Sequence, residues 1–235
     1  MKDIFRFKQF DVNQSGCTMK INTDGVLLAV SANQVPLHRI WDVGTGTGVI
    51  ALMLAQRFPK ARVEAIDIDE GAVHCACENF RHSPFADRLS VQHAAVGDFQ
   101  SAHRFDLIVS NPPFFINSLK NPGEKKSLSR HGSVDFFRQL FSQSEKYLNP
   151  GGSFQLIWPL TSRDQVISRG IQGSLALHHE RFISSFPQGA PFRVISTFKH
   201  EPADHYTQDN FPIYERQGVY TEAYNNLLKP FFIKF

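Results

Sequence analysis

Strand-like and helix-like segments alternate in a regular order along this chain of 235 residues. Apolar runs at 39–43, 62–67, 89–94 and 105–110 predict strands, and segments with helical spacing follow the first two of them. Such alternation favours a mostly parallel sheet with helices on both faces. We therefore predict an α/β fold with a doubly wound sheet, whose ligands bind beyond the carboxyl ends of the strands.

The second half of the chain continues the alternation of helices and strands and then ends in two consecutive strands. A helix is predicted at 134–148, a strand at 153–158 after "NPGG", and a further helix at 162–172. Two strand-like runs, 175–184 and 192–199, are joined by "SSFPQGAP", whose Pro and Gly residues are typical of a hairpin. The final strand is therefore expected to run antiparallel to its neighbour.

Composition is that of an ordinary soluble globular protein, with 42% hydrophobic and 20% charged residues. The length suits one large α/β domain, and we predict a single domain over 1–235. No run reaches the roughly 18 consecutive apolar residues of a membrane helix, and the N-terminus lacks the apolar core of an export signal. We expect a cytoplasmic protein without a membrane partner, and no segment points to an obligate protein partner.

The three cysteines, Cys17, Cys75 and Cys77, are an odd number, and a single residue separates the last two. This pattern favours reduced thiols over a disulfide framework. No Cys or His pair at zinc spacing accompanies them, so no metal site is expected. Cys77 falls on an apolar helical stripe and is predicted to lie in the core.

The loop after the first core strand reads "DVGTGTG", residues 42–48. Its glycines allow a sharp turn, a close approach to a ligand and N–H groups at the head of a helix. A dinucleotide fingerprint needs Gly or Ala at position 49, where this chain has Val49. Asp42 favours a cationic ligand group over a phosphate, and Asp67 ends the second strand, where a carboxylate can bind a ribose diol. Ribose with a cationic amino-acid tail describes S-adenosylmethionine.

On "DVGTGTG" and "AIDID" (65–69), the chain resembles the class I S-adenosylmethionine-dependent methyltransferases. The resemblance implies a Rossmann-like methyltransferase sheet of seven strands with an antiparallel terminal hairpin. It places the glycines at the methionine end of the cofactor, Asp67 on the ribose hydroxyls and Asp98, in "VGDF", on the adenine amino group. A turn aspartate is the alternative for Asp98. The expected cofactor residues in this part of the chain are Asp42, Gly44, Gly46, Gly48, Asp67, Asp98 and Asn111.

The strand "FDLIVS" stops at once in "NPPFF", residues 111–115. An aryl amine is a poor nucleophile because its lone pair is delocalised into the ring, and two acceptors at its N–H bonds favour a pyramidal nitrogen. Asn111 offers a side-chain carbonyl and Pro112 a backbone carbonyl that no strand consumes, because proline cannot continue the ladder. Phe114 can stack on a base.

This run matches the Asn/Asp-Pro-Pro-Tyr/Phe motif of amino-methyltransferases, and its members here are Asn111, Pro112, Pro113 and Phe114. The motif fits adenine N6, guanine N2, cytosine N4 or a glutamine amide. An enzyme for guanine N2 in ribosomal RNA and a release-factor glutamine methyltransferase are therefore alternatives. A further alternative is an RNA-binding module that keeps the cofactor as a structural ligand, although a binder has no use for two free acceptors.

The flanks "MKINTDG" (19–25) and "YTEAYNNLLKPFF" (220–232), with "SRH" (129–131), resemble one family in particular. These are bacterial methyltransferases that modify N6 of adenine 37, next to the anticodon of a valine tRNA. The resemblance implies an N-terminal extension, 1–38, over the cofactor site, with Thr23 or Asp24 as a contact. It also implies a catalytic core at 39–200 and a C-terminal extension at 201–235.

Basic residues are concentrated in 1–20 and in 117–131, although the net charge of the whole chain is only +3. Charge concentrated in this way favours a polyanionic partner, here the anticodon-loop region of tRNA. Two solvated basic loops are the alternative. The candidate RNA-binding residues are Lys120, Lys125, Lys126, Arg130 and His131.

Overall fold

The structure is a computed structural model. It describes residues 3–17, 19–32, 36–112, 125–164, 167, 173–202 and 205–234, and within 125–164 it describes side chains from Asp135 onward. The N-terminal residues form a small antiparallel hairpin of β1 (Ile4–Arg6) and β2 (Asp11–Asn13). Helix α1 (Thr23–Ser31) follows and begins after its N-cap, Asn22.

Among the described residues, eight strands form one central sheet. They are β3 (Arg39–Val43), β4 (Arg62–Asp67), β5 (Leu89–His93), β6 (Phe105–Ser110), β7 (Leu148–Pro159), β8 (Ala176–Ser184), β9 (Arg193–Lys199) and β10 (Thr207–Pro212). Their order across the sheet is β5-β4-β3-β6-β7-β9-β8-β10. The central strands are apolar on both faces and buried, as parallel strands covered by helices must be. The predicted doubly wound, mostly parallel fold is confirmed.

Strand β9 runs antiparallel to β7 and to β8, which confirms the predicted hairpin. The predicted number of seven strands is wrong, because β10 adds an eighth strand parallel to β8. Its sequence, "TQDNFP", is polar and ends in proline, so it resembles a loop. An edge strand that buries few side chains needs no apolar alternation, which is why the pattern gave no signal.

Three helices connect strands of the sheet along the chain. Helix α2 (Val49–Arg57) follows β3, α3 (Glu70–Arg81) follows β4, and α4 (Lys125–Tyr147) precedes β7. Asp69 is the N-cap of α3, and its carboxylate accepts a hydrogen bond from the Gly71 N–H at 2.9 Å. Helix α4 begins earlier than the predicted residue 134. Most of the helix predicted at 162–172 lies outside the described residues.

The two ends of the chain pack together on the face of the sheet that carries α1 and α2. After β10 come the hairpin β11 (Tyr214–Arg216) and β12 (Val219–Tyr220) and then helix α5 (Glu222–Leu228). The Lys8 N–H donates to the Phe231 carbonyl at 2.7 Å. Phe7, Leu228 and Phe231 belong to the same buried cluster as α2. The division at residues 38 and 200 stays a prediction.

The cysteines differ from expectation. A disulfide joins Cys17 to Cys75, whose Cα atoms are 6.5 Å apart, so the prediction of reduced thiols is wrong for this pair. The fold brings them together because β2, which precedes Cys17, packs on α3, which carries Cys75. Cys77 is exposed rather than buried in the core, because α3 turns its other face to the sheet.

No helix within the described ranges has the length and apolar character that a bilayer span requires. The cytoplasmic location stays a prediction.

Gly48, the N-cap of α2, offers a test of packing between the glycine-rich loop and α3. Its φ is +81°, and a Cβ there would lie 2.5 Å from Cε1 of Phe80. We expect Gly48→Ala to destabilise the fold by about 2–4 kcal/mol, from left-handed backbone strain and overpacking together. The measurement is denaturant unfolding.

Gly218→Ala is the matched control, because φ is +77° there and a Cβ would meet nothing within 4 Å. This variant should lose only about 1–2 kcal/mol. Equal losses for the two variants would show that the contact with Phe80 contributes nothing.

Candidate active site

A cavity of about 680 Å³ opens at the carboxyl ends of β3, β4 and β6. Its volume lies in the range of roughly 300–1,000 Å³ that small-molecule sites occupy. Six segments form its walls: Cys17, Met19–Asn22 and Gly25; 43–47, Val49 and Ile50; 66–69 and Ala72; 94–96; Asn111 and Pro112; and 135–137 with Gln139. The site therefore lies where a doubly wound sheet binds its ligands.

Backbone hydrogen bonds to the end of β4 fix the glycine-rich loop. The Gly44 and Thr45 N–H groups both donate to the Ile66 carbonyl, at 2.9 and 3.0 Å. The Gly46 N–H donates to Oδ2 of Asp67 at 2.8 Å, and Oδ1 of Asp67 accepts from the Asp69 N–H at 3.0 Å. Backbone donors thus hold both Asp67 oxygens in place on the cavity wall.

The loop presents a cradle to the cavity. Gly46 has φ +56°, and a Cβ built on Gly44 or Gly46 would meet nothing within 4 Å. A ligand can therefore approach the backbone of this loop closely. Ile66 and Val96 add apolar surface to the same cavity.

Asp42 lies behind the loop and does not line the cavity. Its carboxylate is fully buried, accepts a hydrogen bond from the Thr45 hydroxyl at 2.7 Å, and leaves Oδ1 without a partner in the described part of the chain. Burial raises the pKa of Asp42 to about 7; the Thr45 hydrogen bond opposes this shift, and the nearby Asp67 charge adds to it. A direct contact between Asp42 and a ligand stays a prediction.

Asn111 and Pro112 lie on the cavity wall directly after β6 ends. The Ser110 hydroxyl donates to the Val43 carbonyl at 2.8 Å and holds the end of β6 against β3. Asn111 is buried at 9% exposure, and its Nδ2 donates to Oδ1 of Asn22 at 3.3 Å. Pro113 and Phe114 lie outside the described residues.

The remaining expected cofactor residues do not line the cavity. Thr23 is exposed at the start of α1, and Asp24 forms an ion pair with Arg193 at 2.8 Å. Asp98 is exposed, two residues beyond the wall residue Val96. Gly48 packs towards α3 instead of the cavity.

The side chains of the candidate RNA-binding residues lie outside the part of the chain that the structure describes. Lys120 is not described, and for Lys125, Lys126, Arg130 and His131 the structure gives the helical backbone of α4 but no side chain. No group of three or more His, Cys, Asp or Glu in the described ranges is placed to hold a metal ion. A metal-free reaction stays a prediction.

Sequence reasoning did not find two asparagines: Asn22, which lines the cavity, and Asn79, which supports the glycine-rich loop. Asn79 of α3 is buried, and its Nδ2 donates to the backbone carbonyls of Thr47 and Asn13, at 2.9 and 3.0 Å. Its partners are backbone atoms of distant segments, so no local pattern points to it. Asn22 did carry a signal, because Asn directly before a helix is a favoured N-cap.

Comparison with known proteins decides the family. Residues 19–167 match the methyltransferase small domain family. A tRNA1(Val) (adenine(37)-N6)-methyltransferase of Pedobacter heparinus is 44% identical over 241 residues, covering 100% of both chains. The chain belongs to the tRNA1(Val) (adenine(37)-N6)-methyltransferase family.

Solved structures agree with this methyltransferase fold. The "predicted O-methyltransferase, protein Atu636" of Agrobacterium tumefaciens is 19% identical, with a TM-score of 0.68 over 88% of this chain and 96% of that one. The N-methyltransferase NodS of Bradyrhizobium japonicum, in complex with S-adenosyl-L-homocysteine, is 21% identical, with a TM-score of 0.52 over 75% and 83%. The cradle of Gly44 and Gly46, with the oriented Asp67 carboxylate, fits S-adenosylmethionine.

Burial of Asp42 predicts a pH dependence of stability. Its pKa is raised from 3.8 to about 7, so between these values the folded protein keeps a proton that the unfolded chain releases. The stability linked to this proton is full below the unfolded pKa and is lost as pH rises through about 7. Asp42→Asn cannot ionise, so its melting temperature should gain on that of the wild type between about pH 4 and about pH 7 and then stay level. Thermal unfolding profiles that stay parallel would contradict a buried neutral Asp42.

Proposed function

We propose that this protein methylates N6 of adenine in tRNA, at adenine 37 beside the anticodon of a valine tRNA. One observation carries the chemistry: Asn111 and Pro112, at the end of β6, share a cavity wall with the glycine-rich loop. The substrate follows from membership of a family whose relative in Pedobacter heparinus has that name and matches this chain from end to end.

S-adenosylmethionine supplies a methyl group bonded to a positively charged sulfur. The work of the protein is to hold the adenine amino group so that its lone pair points at that carbon. The side-chain carbonyl of Asn111 accepts one N–H of the amine and the backbone carbonyl of Pro112 accepts the other. Two directed acceptors favour a pyramidal nitrogen, and acceptors fixed before the substrate arrives need no reorganisation during the reaction. We assign stacking on the adenine to Phe114, and Pro113 completes the motif between the second acceptor and this ring.

The cofactor is held by backbone groups of the glycine-rich loop at one end and by carboxylates at the other. The loop backbone at Gly44 and Gly46 takes the methionine end, and Gly48 supports the loop through its packing on Phe80. Asp67 takes the ribose hydroxyls, because its oxygens are already aimed by backbone donors. Asp98 takes the adenine amino group. Thr23 is exposed directly after the cavity residue Asn22, whereas Asp24 acts through its ion pair with Arg193. Asp42 supports the loop from behind.

The tRNA is held by the basic residues that follow the motif and continue into the first turns of α4. Residues 135–137 of α4 line the cavity, and α4 ends where β7 begins, so its first turns extend beyond the carboxyl edge of the sheet. This direction brings 125–131 towards a nucleic acid whose adenine occupies the cavity. We assign phosphate contacts to Lys120, Lys125, Lys126, Arg130 and His131. An anticodon-loop base is already accessible, so presenting it costs less than opening a duplex.

The substrate is tested by incubating the protein with labelled S-adenosylmethionine and total RNA from a strain that lacks the gene, followed by nucleoside analysis. We expect label in N6-methyladenosine from the tRNA fraction. Label in N2-methylguanosine would transfer the chemistry to a guanine enzyme, and label in protein alone would favour the glutamine alternative. Either result contradicts the proposed substrate.

The role of Asn111 is tested by Asn111→Ala. Loss of one directed acceptor should lower kcat roughly 100-fold or more, while the Kd for the cofactor, measured by calorimetry, changes by less than about threefold. Asn226→Ala, on the exposed face of α5, is the control and should keep wild-type turnover. Near-normal turnover of Asn111→Ala would refute the two-acceptor mechanism.

A further inference from the structure

The side chain of Asn22 connects the start of α1 to the motif at the end of β6. As the N-cap of α1, Asn22 has extended backbone angles, φ −131° and ψ 164°, and its Oδ1 accepts the Gly25 N–H at 2.9 Å. An amide NH2 group cannot accept a hydrogen bond, so the cap determines which end of the Asn22 amide faces the helix. The orientation of this side chain is therefore set by backbone structure alone.

The same oxygen of Asn22 also accepts from Nδ2 of Asn111, at 3.3 Å. Because that oxygen has no hydrogen to donate, the group of Asn111 that faces it must be the NH2 group and not the carbonyl. The Asn111 carbonyl oxygen then points away from Asn22, and no donor in the described part of the chain contacts it. Asn111 and Pro112 both line the cavity, so this oxygen is left for a ligand there.

The residues around Asn22 and Asn111 hold the two side chains in a fixed relative position. A Cβ on Gly25 would lie 3.4 Å from Nδ2 of Asn111, so the first turn of α1 packs directly on the motif. On the other side of that turn, Asp24 is paired with Arg193 at the start of β9, at 2.8 Å. The helix behind them is buried from Gly25 to Val30. Asn22 is therefore attached to a helix that is fixed by its packing and by the Asp24–Arg193 ion pair.

We propose that Asn22 is a positioning residue for methyl transfer, which fixes the amide of Asn111 so that its carbonyl, and not its amino group, meets the substrate amine. This inference rests on the proposed function. A flipped Asn111 would present N–H groups to the N–H groups of the amine, and one of the two acceptors would be lost. Asn22 selects the reactive orientation before the substrate binds.

Three variants separate this role from simple capping. Asn22→Ser keeps a good N-cap, but its shorter hydroxyl can both donate and accept and no longer selects the Asn111 orientation. Asn22→Asp keeps an oxygen of the same reach that can only accept. Asn22→Ala removes both functions.

We expect Asn22→Ser to melt within a few degrees of the wild type, with cofactor Kd and KM for tRNA within about threefold, but with kcat lowered roughly 10- to 100-fold. Asn22→Asp should restore kcat to within about threefold of the wild type. Asn22→Ala should lose kcat like the serine variant and also melt at a lower temperature. Wild-type kcat in Asn22→Ser, or equal loss of kcat in the serine and aspartate variants, would overturn the proposal.

A measurement without turnover separates failure of this inference from failure of the proposed function. The side-chain NH2 signals of Asn111 can be assigned in NMR spectra by their absence from Asn111→Ala. In the free wild type and in Asn22→Asp they should show the shift of a hydrogen-bonded amide, and in Asn22→Ser they should move towards the solvent-exposed value. If the wild type methylates no RNA, these shifts still test the contact; if they are the same in all three proteins, the positioning role is refuted whatever the substrate.

Discussion

The register of three parallel strands sets the geometry of the whole site. Val43, at the end of β3, lies opposite Ile66 of β4 on one side and Ser110 of β6 on the other. The glycine-rich loop, the Asp67 turn and the Asn111 motif therefore leave the sheet at one level, around one cavity. A slip of one residue in β6 would turn its side chains to the opposite face and take the Asn111 side chain off this wall.

The parts of the fold and site that could be predicted are those with local causes. The apolar runs of β3, β4 and β6 are long enough to define buried strands, and the glycine-rich loop and the proline stop are fixed by backbone chemistry within a few residues. Asp69 was recognisable as a cap because capping acts on the next turn. These signals also placed Asp67 and Asn111 at the correct strand ends, where both line the cavity.

What could not be predicted depends on contacts between distant segments. Asp24 pairs with Arg193, 169 positions away, and Cys17 meets Cys75 across 58 residues. The burial of Asp42, with its raised pKa, follows from the packing of whole elements around it, because the strand pattern alone does not say how much water reaches a carboxylate. Strand β10 is a further case, since its pairing with β8 rests on backbone hydrogen bonds and on cross-strand contacts such as Arg181–Asp209, neither of which requires apolar alternation.

Two polar side chains on the cavity wall, Asp67 and Asn22, are both oriented by the folded backbone. Asp67 accepts the Gly46 N–H, and Asn22 accepts the Gly25 N–H, so each is oriented by a backbone donor before any ligand arrives. A side chain held in this way loses little further freedom on binding, whereas a free asparagine or aspartate would have to be ordered by the ligand itself. Asn22 in turn orients Asn111 by accepting a hydrogen bond from its Nδ2, because no backbone donor among the described residues holds the Asn111 side chain. The orientation of the acceptor in the motif is therefore a consequence of where α1 begins.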